Sequence, residues 1–255
     1  MTDRNFGASF APRLAAASLS GESDAAWAQS LADHVGCAFI GGVSIDERTQ
    51  AASAALVDRD RNEFLTERPI KFIDDQLRSL SETETAIGVN VRTTRVDRLR
   101  EAAAVCRSHG AILEVNAHCR QPELTAIGCG ESLLADTDRL ERYVAAAAEI
   151  GATVGVKARA EVSGVDLGDV AAAVESAGGS ILHVDAMDSP EPIATVANKS
   201  ELFVIANNGV RDRETAYEYL RLGADAVSVG RPTRQPERLD SIRTAVDAWF
   251  AEVTA

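Results

Sequence analysis

The chain has 255 residues, a length that one α/β barrel fills and that one or two smaller domains would also fit. Apolar residues make up 45% and charged residues 25%, which excludes intrinsic disorder as the main state, collagen-like repeats and small disulfide-stapled folds. The 26 basic residues are outnumbered by 39 acidic ones, and the net charge of −13 argues against a broad electrostatic grip on nucleic acid while leaving room for a local basic pocket.

The expected elements alternate along the chain. A strand over 14–18 leads to a helix over about 24–35, and a strand over 38–43 is followed by helical material to about 80. The third strand, 86–91, precedes a helix to about 109. The fourth, 112–116, precedes a long loop and a helix over about 138–150. The fifth, 153–157, is followed by a helix over 166–177. Strands six and seven cover 180–184 and 202–206, with a helix over 213–222 after them. The eighth strand, 226–229, precedes a closing helix over about 236–253. Eight βα units in about 250 residues imply the α/β class and a (β/α)8, or TIM, barrel occupying 1–255 as a single domain. A doubly wound sheet would carry G-x-G-x-x-G after its first strand, and Ser18-Leu19-Ser20-Gly21-Glu22 has no such turn.

No apolar run reaches about 18 residues, so no transmembrane helix is expected, and residues 1–12 lack the charged-then-apolar pattern of a secretory signal. A cytoplasmic protein with no membrane partner is the expectation. Lys71, Lys157 and Lys199 are the only lysines. Such an acidic, lysine-poor, alanine-rich composition fits a halophilic source or a high-GC genome; stability that peaks in molar salt marks the first, and indifference to salt the second. Cys37, Cys106, Cys119 and Cys129 form no C-x-x-C pair, and the four histidines have no metal spacing, so neither a disulfide framework nor a metal site is expected.

Barrel active sites form where strands end and βα loops begin. At those points stand Asn90 and Arg92, then Asn116 with His118 and Cys119, then Lys157 and Arg159. His183 and Asp185, Asn207 and Asn208, and Gly230 with Arg231 follow. Buried polar groups are costly without partners, so a polar ligand is expected there, the alternative being a hydrogen-bonded rim with none. Gly209 and Gly230 follow strands seven and eight, where bare backbone N–H groups can approach a phosphate, and Arg231 adds a bidentate donor. Lys157 is open to three readings: partner of a carboxylate, counter-charge for an anionic cofactor or intermediate, or Schiff-base amine. Cys119, in a polar loop at the barrel mouth, is a candidate nucleophile or proton donor. Cys129, in Gly-Cys-Gly, reads as packing, and Cys37 and Cys106 as core or helix positions.

Together these segments resemble the flavin barrels of the dihydrouridine synthase and dihydroorotate dehydrogenase kind. Asn116-x-x-Cys119, then Gly128-x-Gly130-x-x-Leu133-Leu134, is similar to the catalytic loop of the synthases. Val156-Lys157-Ala158-Arg159 is similar to their Val-Lys-x-Arg, and Asn207-Asn208-Gly209 with Val229-Gly230-Arg231 to their flavin-phosphate loops. The ordered set spans about residues 14–233 and is most like an archaeal offshoot of the group with His-Cys-Arg-Gln-Pro in the loop. The resemblance implies an FMN-dependent oxidoreductase acting on a C=C or C=N bond. It implies Ala17 and Ser18 near the isoalloxazine, Asn90 and Lys157 on its pyrimidine edge, and His183 against the ring or ribityl chain. It places Asn207, Asn208, Gly209, Gly230 and Arg231 at the phosphate. Asn116 would orient the substrate, Cys119 would give a proton to a substrate carbon while the flavin delivers hydride, and Arg159 would join the catalytic set.

The departures from that pattern shape the expectation. His118-Cys119-Arg120 stands where the synthases have Gly-Cys-Pro, and Arg120 is expected to lower the thiol pKa. Asn90 replaces their Gln, as in the dehydrogenases. After the barrel only the helix over about 236–253 is expected, where the synthases carry a helical domain that grips tRNA. With a net charge of −13, a small pyrimidine-like or pterin ring is expected ahead of tRNA uridine. The residues alone leave two alternatives: a flavin-free phosphate-binding barrel using Lys157 as Schiff base or clamp, and a non-catalytic metabolite binder. A homodimer is left open.

Overall fold

Eight parallel strands pair in chain order, and the eighth returns to the first to close a barrel. The computed structural model describes residues 10–186 and 189–253. The strands are β1 (Leu14–Ala16), β2 (Cys37–Ser44), β3 (Ala86–Arg92), β4 (Ile112–Ala117), β5 (Thr153–Arg159), β6 (Ile181–Asp185), β7 (Phe203–Asn207) and β8 (Ala226–Val229). The helices around them are α1 (Ala25–Ser30), α2 (Glu47–Val57), α3 (Pro69–Ser79), α4 (Val96–Ser108), α5 (Pro122–Thr125) and α6 (Glu131–Leu134). They continue as α7 (Thr137–Ala148), α8 (Leu167–Ser176), α9 (Glu191–Lys199), α10 (Arg213–Arg221) and α11 (Pro236–Val253). The (β/α)8 architecture expected from the strand–helix alternation is the one observed.

Strands covered on both faces read as apolar runs rather than as alternating ones. The period of two still sorts their side chains. Leu113, Val115, Val154, Val156, Leu182 and Val184 point outward and pack beneath the helices. Cys37, Phe39, Ile112, Ile181, Phe203 and Ala226 fill the lower barrel interior. Two residues further along the same inward faces come Glu114, His183 and Ser228, joined by Asn90 and Lys157 in register. The interior therefore changes from apolar at the strand N-termini to polar at their C-termini. Five aspartates, Asp24, Asp46, Asp136, Asp166 and Asp212, cap helix N-termini by accepting first-turn backbone N–H groups, so part of the acidic excess starts helices.

The differences from expectation have local causes. β1 ends at Ala16, although the Ala17 N–H still donates to the Val229 carbonyl at 2.8 Å. The helical material before residue 80 is two helices, because Asp60 turns left-handed (φ 59°) and Pro69 begins α3. The loop after β4 contains the short turns α5 and α6. No helix is expected between the sixth and seventh strands, yet α9 forms there: Pro192 stands in its first turn, where a missing N–H costs nothing, and Ile193 and Val196 bury. Residues 1–9, on which most of the signal reading rests, lie outside the described residues. Among the described residues no helix is long and apolar enough to cross a membrane. All four cysteines are free.

Candidate active site

A buried hydrogen-bond chain crosses the polar half of the barrel. Glu114 on β4 is fully buried; its Oε2 accepts from Asn90 Nδ2 at 2.6 Å, and its Oε1 lies 2.7 Å from His183 Nδ1. His183 Nε2 lies 2.7 Å from Ser228 Oγ on β8. In the other direction, Asn90 Oδ1 accepts from Asn116 Nδ2 at 2.8 Å, and Asn116 Oδ1 accepts from the Cys119 N–H at 3.3 Å. Burial works against the Glu114 carboxylate, but His183, Lys157 and Asn90 together hold it below the usual carboxylate range. Burial also pushes His183 below the ordinary histidine value, and Lys157 acts the same way against the pull of Glu114. A neutral His183 donating from Nδ1 to ionised Glu114 satisfies both directions.

Above this chain lies a cavity of about 600 Å3. Ala17, Ser18, His118, Lys157 and Ser228 form its inner wall, and Arg211, Arg231 and Arg238 stand with Gly209 and Gly230 toward its outer side. Among the described residues no carboxylate lines it, so four basic side chains face one space in a chain of net charge −13. Lys157 is 2% exposed and makes no hydrogen bond or ion pair among the described residues. An unpaired buried ammonium is costly, and an anion in the cavity relieves that cost. A larger groove, about 890 Å3, runs outside the barrel between α2 and α4, but Asp46, Glu47 and Asp97 share it with Arg95 and Arg98, so it presents no single sign of charge.

The loop 207–209 is shaped for close approach. Asn208 and Gly209 are both left-handed, with φ of 68° and 89°. The Tyr219 hydroxyl donates to the Asn208 carbonyl at 2.7 Å, and a Cβ on Gly209 would stand 2.7 Å from that hydroxyl. Gly209→Ala should therefore cost about 1–2 kcal/mol through backbone strain and a displaced tyrosine, and weaken phosphate-bearing ligands. Thermal melts and FMN titration of the variant check this; unchanged values in both would show that the loop tolerates a side chain.

Cys119 stands apart from the cavity wall. Its sulfur lies against the guanidinium of Arg92, and it packs beside Leu56, Leu124 and Cys129. Arg92 pairs with Glu63 at 2.5 Å, with both side chains 2% exposed, and donates to Ser20 Oγ at 2.5 Å. Burial opposes the Arg92 charge, while Cys119 and Glu63 hold its pKa above the ordinary value. The loop itself is pinned: the Glu131 N–H donates to the Cys119 carbonyl at 2.8 Å, and Gly130 (φ 62°) passes so close that a Cβ would stand 1.9 Å from that oxygen.

The structure thus gathers Ala17, Ser18, Lys157, Asn207, Asn208, Gly209, Gly230 and Arg231 around one cavity. It seats Asn90, Asn116 and His183 in the buried chain below. Both ends of the Asn90 amide are engaged by Glu114 and Asn116, and both nitrogens of His183 by Glu114 and Ser228. Arg159 is drawn aside to Asp185 at 3.6 Å, which also accepts from Asn208 Nδ2 at 2.9 Å. The arginine against the Cys119 sulfur is Arg92, whereas Arg120 is exposed. Sequence reasoning passed over Glu114 and Ser228. Their signal was the period of two, which places Glu114 on the inward face of Asn116.

Two imidazoles in this region are held neutral. Burial pushes His118 well below the ordinary histidine value, and Lys157, Arg92, His183 and Arg159 add to the effect; His183 is also lowered. Both folded pKa values then lie below the unfolded value of about 6.5. The stability they contribute is complete above that pH and is lost as pH falls, because the unfolded chain takes up protons that the folded chain refuses. Melting temperatures measured from about pH 8 to about pH 5 should fall with a slope of up to about two protons. A flat series would mean that the imidazoles titrate normally.

The family model described as dihydrouridine synthase matches residues 62–253. An uncharacterized protein of Methanocaldococcus jannaschii, MJ0144, is 28% identical over 230 residues, covering 86% of this chain and 88% of that protein. Among solved structures, a dihydroorotate dehydrogenase (DHODH) of Eimeria tenella in complex with ferulenol superposes with a TM-score of 0.70 at 14% identity, covering 94% of this chain and 82% of its own. FabK from Thermotoga maritima gives 0.58 at 15% identity, covering 87% of this chain and 58% of its own. A chain of the tryptophan synthase complex of Pyrococcus furiosus gives 0.57 at 13%, covering 92% and 95%. At such identities these structures share the fold, and a barrel alone does not fix chemistry. The family match extends over most of the chain, including β3 to β8 and their loops: the protein belongs to the dihydrouridine synthase family.

Proposed function

We propose that the protein is an FMN-dependent oxidoreductase that adds or removes hydrogen across a C=C or C=N bond of a small pyrimidine-like heterocycle. The observation that carries this reading is the buried Lys157, without a hydrogen-bond or ion-pair partner among the described residues, on the wall of a cavity that Arg211, Arg231 and Arg238 line and that no described carboxylate lines. Those residues fit FMN. Arg231, Gly209, Gly230, Asn207 and Asn208 would hold its phosphate end, and Ala17, Ser18 and Lys157 its ring. When bound, FMN supplies hydride transfer. The chain supplies the rest. Lys157 offers positive charge to the ring edge, and Glu114 keeps that charge tolerable from below. Asn116 fixes the Cys119 backbone, and Cys119 Sγ holds the proton destined for a substrate carbon. His183 and Asn90 act through the buried network, and Arg159 through its pair with Asp185, rather than from the cavity wall.

The substrate reading is tested by reducing the FMN-loaded protein and adding candidate oxidants. Reoxidation by small unsaturated heterocycles ahead of unmodified tRNA is expected, because a net charge of −13 works against a broad electrostatic grip on nucleic acid. Faster reoxidation by tRNA would assign the activity of the family's name instead. The same unpartnered amine favours one competing reading, a flavin-free barrel in which Lys157 forms a Schiff base with a phosphorylated substrate. Borohydride trapping of a carbonyl compound on Lys157 separates the two.

A further inference from the structure

We infer that His118 is the residue of the 118–120 loop that meets the ring held in the cavity, and that it orients this ring by a hydrogen bond. The inference rests on the FMN reading above. Adjacent in sequence, His118 and Cys119 part company in space. Cys119 turns to Arg92 and to the apolar cluster of Leu56, Leu124 and Cys129, whereas His118 lines the cavity with Lys157. The backbone beneath them has little freedom, because Asn116 Oδ1 holds the Cys119 N–H and Gly130 is pressed against the Cys119 carbonyl.

Neither imidazole nitrogen of His118 has a hydrogen-bond partner among the described residues, and Nδ1 is buried without one. Buried polar atoms without partners are rare in folded proteins, and a ligand is one standard remedy. Among the described residues, the positive charges that act on the ring are Lys157 and Arg159 on β5 and Arg92 on β3. All of them disfavour a protonated imidazole, as burial does. A neutral ring has one N–H donor and one lone pair. The two nitrogens diverge, so one of them meets one edge atom of a heterocycle, as donor to a carbonyl or ring nitrogen or as acceptor from a ring N–H, both of which an isoalloxazine offers.

The test is FMN titration of the wild type, His118→Phe and His118→Asn, read by flavin fluorescence. It is paired with 15N spectra of histidine-labelled wild type before and after FMN. Phenylalanine keeps the plane and removes the hydrogen bond, so affinity should fall about 3- to 10-fold, and asparagine should recover most of it. The His118 resonances should move when FMN is added. Affinity of His118→Phe equal to wild type, together with unmoved His118 resonances in FMN-loaded wild type, would overturn the inference and leave the FMN reading standing. A wild type that binds no FMN would overturn the FMN reading, and this inference with it.

Discussion

Glu114→Ala should lower the stability of the protein by about 3–5 kcal/mol, which for a chain of this size is a fall of about 6–20 °C in melting temperature. Glu114 is fully buried and serves three neighbours: it takes the Asn90 amide, lies 2.7 Å from His183 Nδ1, and offsets the Lys157 charge. Alanine strands two polar groups and leaves an ammonium without compensation in a low-dielectric interior. Glu114→Gln preserves the volume and one hydrogen bond, so its loss should be smaller. Thermal melts of the two variants beside wild type make the comparison. A Glu114→Ala protein that melts with wild type would mean that the buried chain is incidental.

Lys157→Met should spare stability and weaken binding. Replacing a buried ammonium that has no hydrogen-bond partner by an apolar chain of similar volume removes its desolvation cost but also takes a positive charge from Glu114, so the ligand-free protein should be unchanged or more stable by about 1 kcal/mol. Glu114 keeps its hydrogen bonds with Asn90 and His183, which limits the cost of losing the lysine charge. The same change removes a charged contact to an anionic ligand, and FMN affinity should drop about 10- to 100-fold. A residue kept for the benefit of a ligand rather than of the fold has this signature. Loss of stability in the ligand-free variant would make Lys157 structural, and undiminished FMN binding would remove it from the site.

The barrel was legible because its determinants are local. Each strand is an apolar run ended by a turn, and the spacing of eight such runs leaves few architectures. The outer wall of the cavity was legible for a similar reason: Asn208, Gly209, Gly230 and Arg231 sit within four residues of a strand end, and Lys157 is conspicuous where lysine is scarce. What stayed hidden depends on contacts between distant segments. Glu63 reaches Arg92 across 29 residues from the connection between α2 and α3, a stretch with no motif of its own. Glu114 lies inside an apolar strand, and only the depth of the barrel interior reveals that it joins His183 69 residues later. The opposite directions of His118 and Cys119 arise from the pinned loop and the passage of Gly130, neither of which a linear pattern encodes. The α9 segment has only Ile193 and Val196 as buried apolar residues and a proline in its first turn, a pattern too sparse to read as a helix before the chain is folded.

The central claim is that Lys157, the basic residues and the two glycine turns form a flavin site. The most direct measurement is the visible absorption spectrum of the folded protein after incubation with FMN and desalting. Bands retained near about 370 and about 450 nm, at close to one flavin per chain, are the expected result for a bound oxidised flavin. A folded protein that emerges colourless would contradict the account and shift the cavity to a phosphate-bearing substrate bound without flavin.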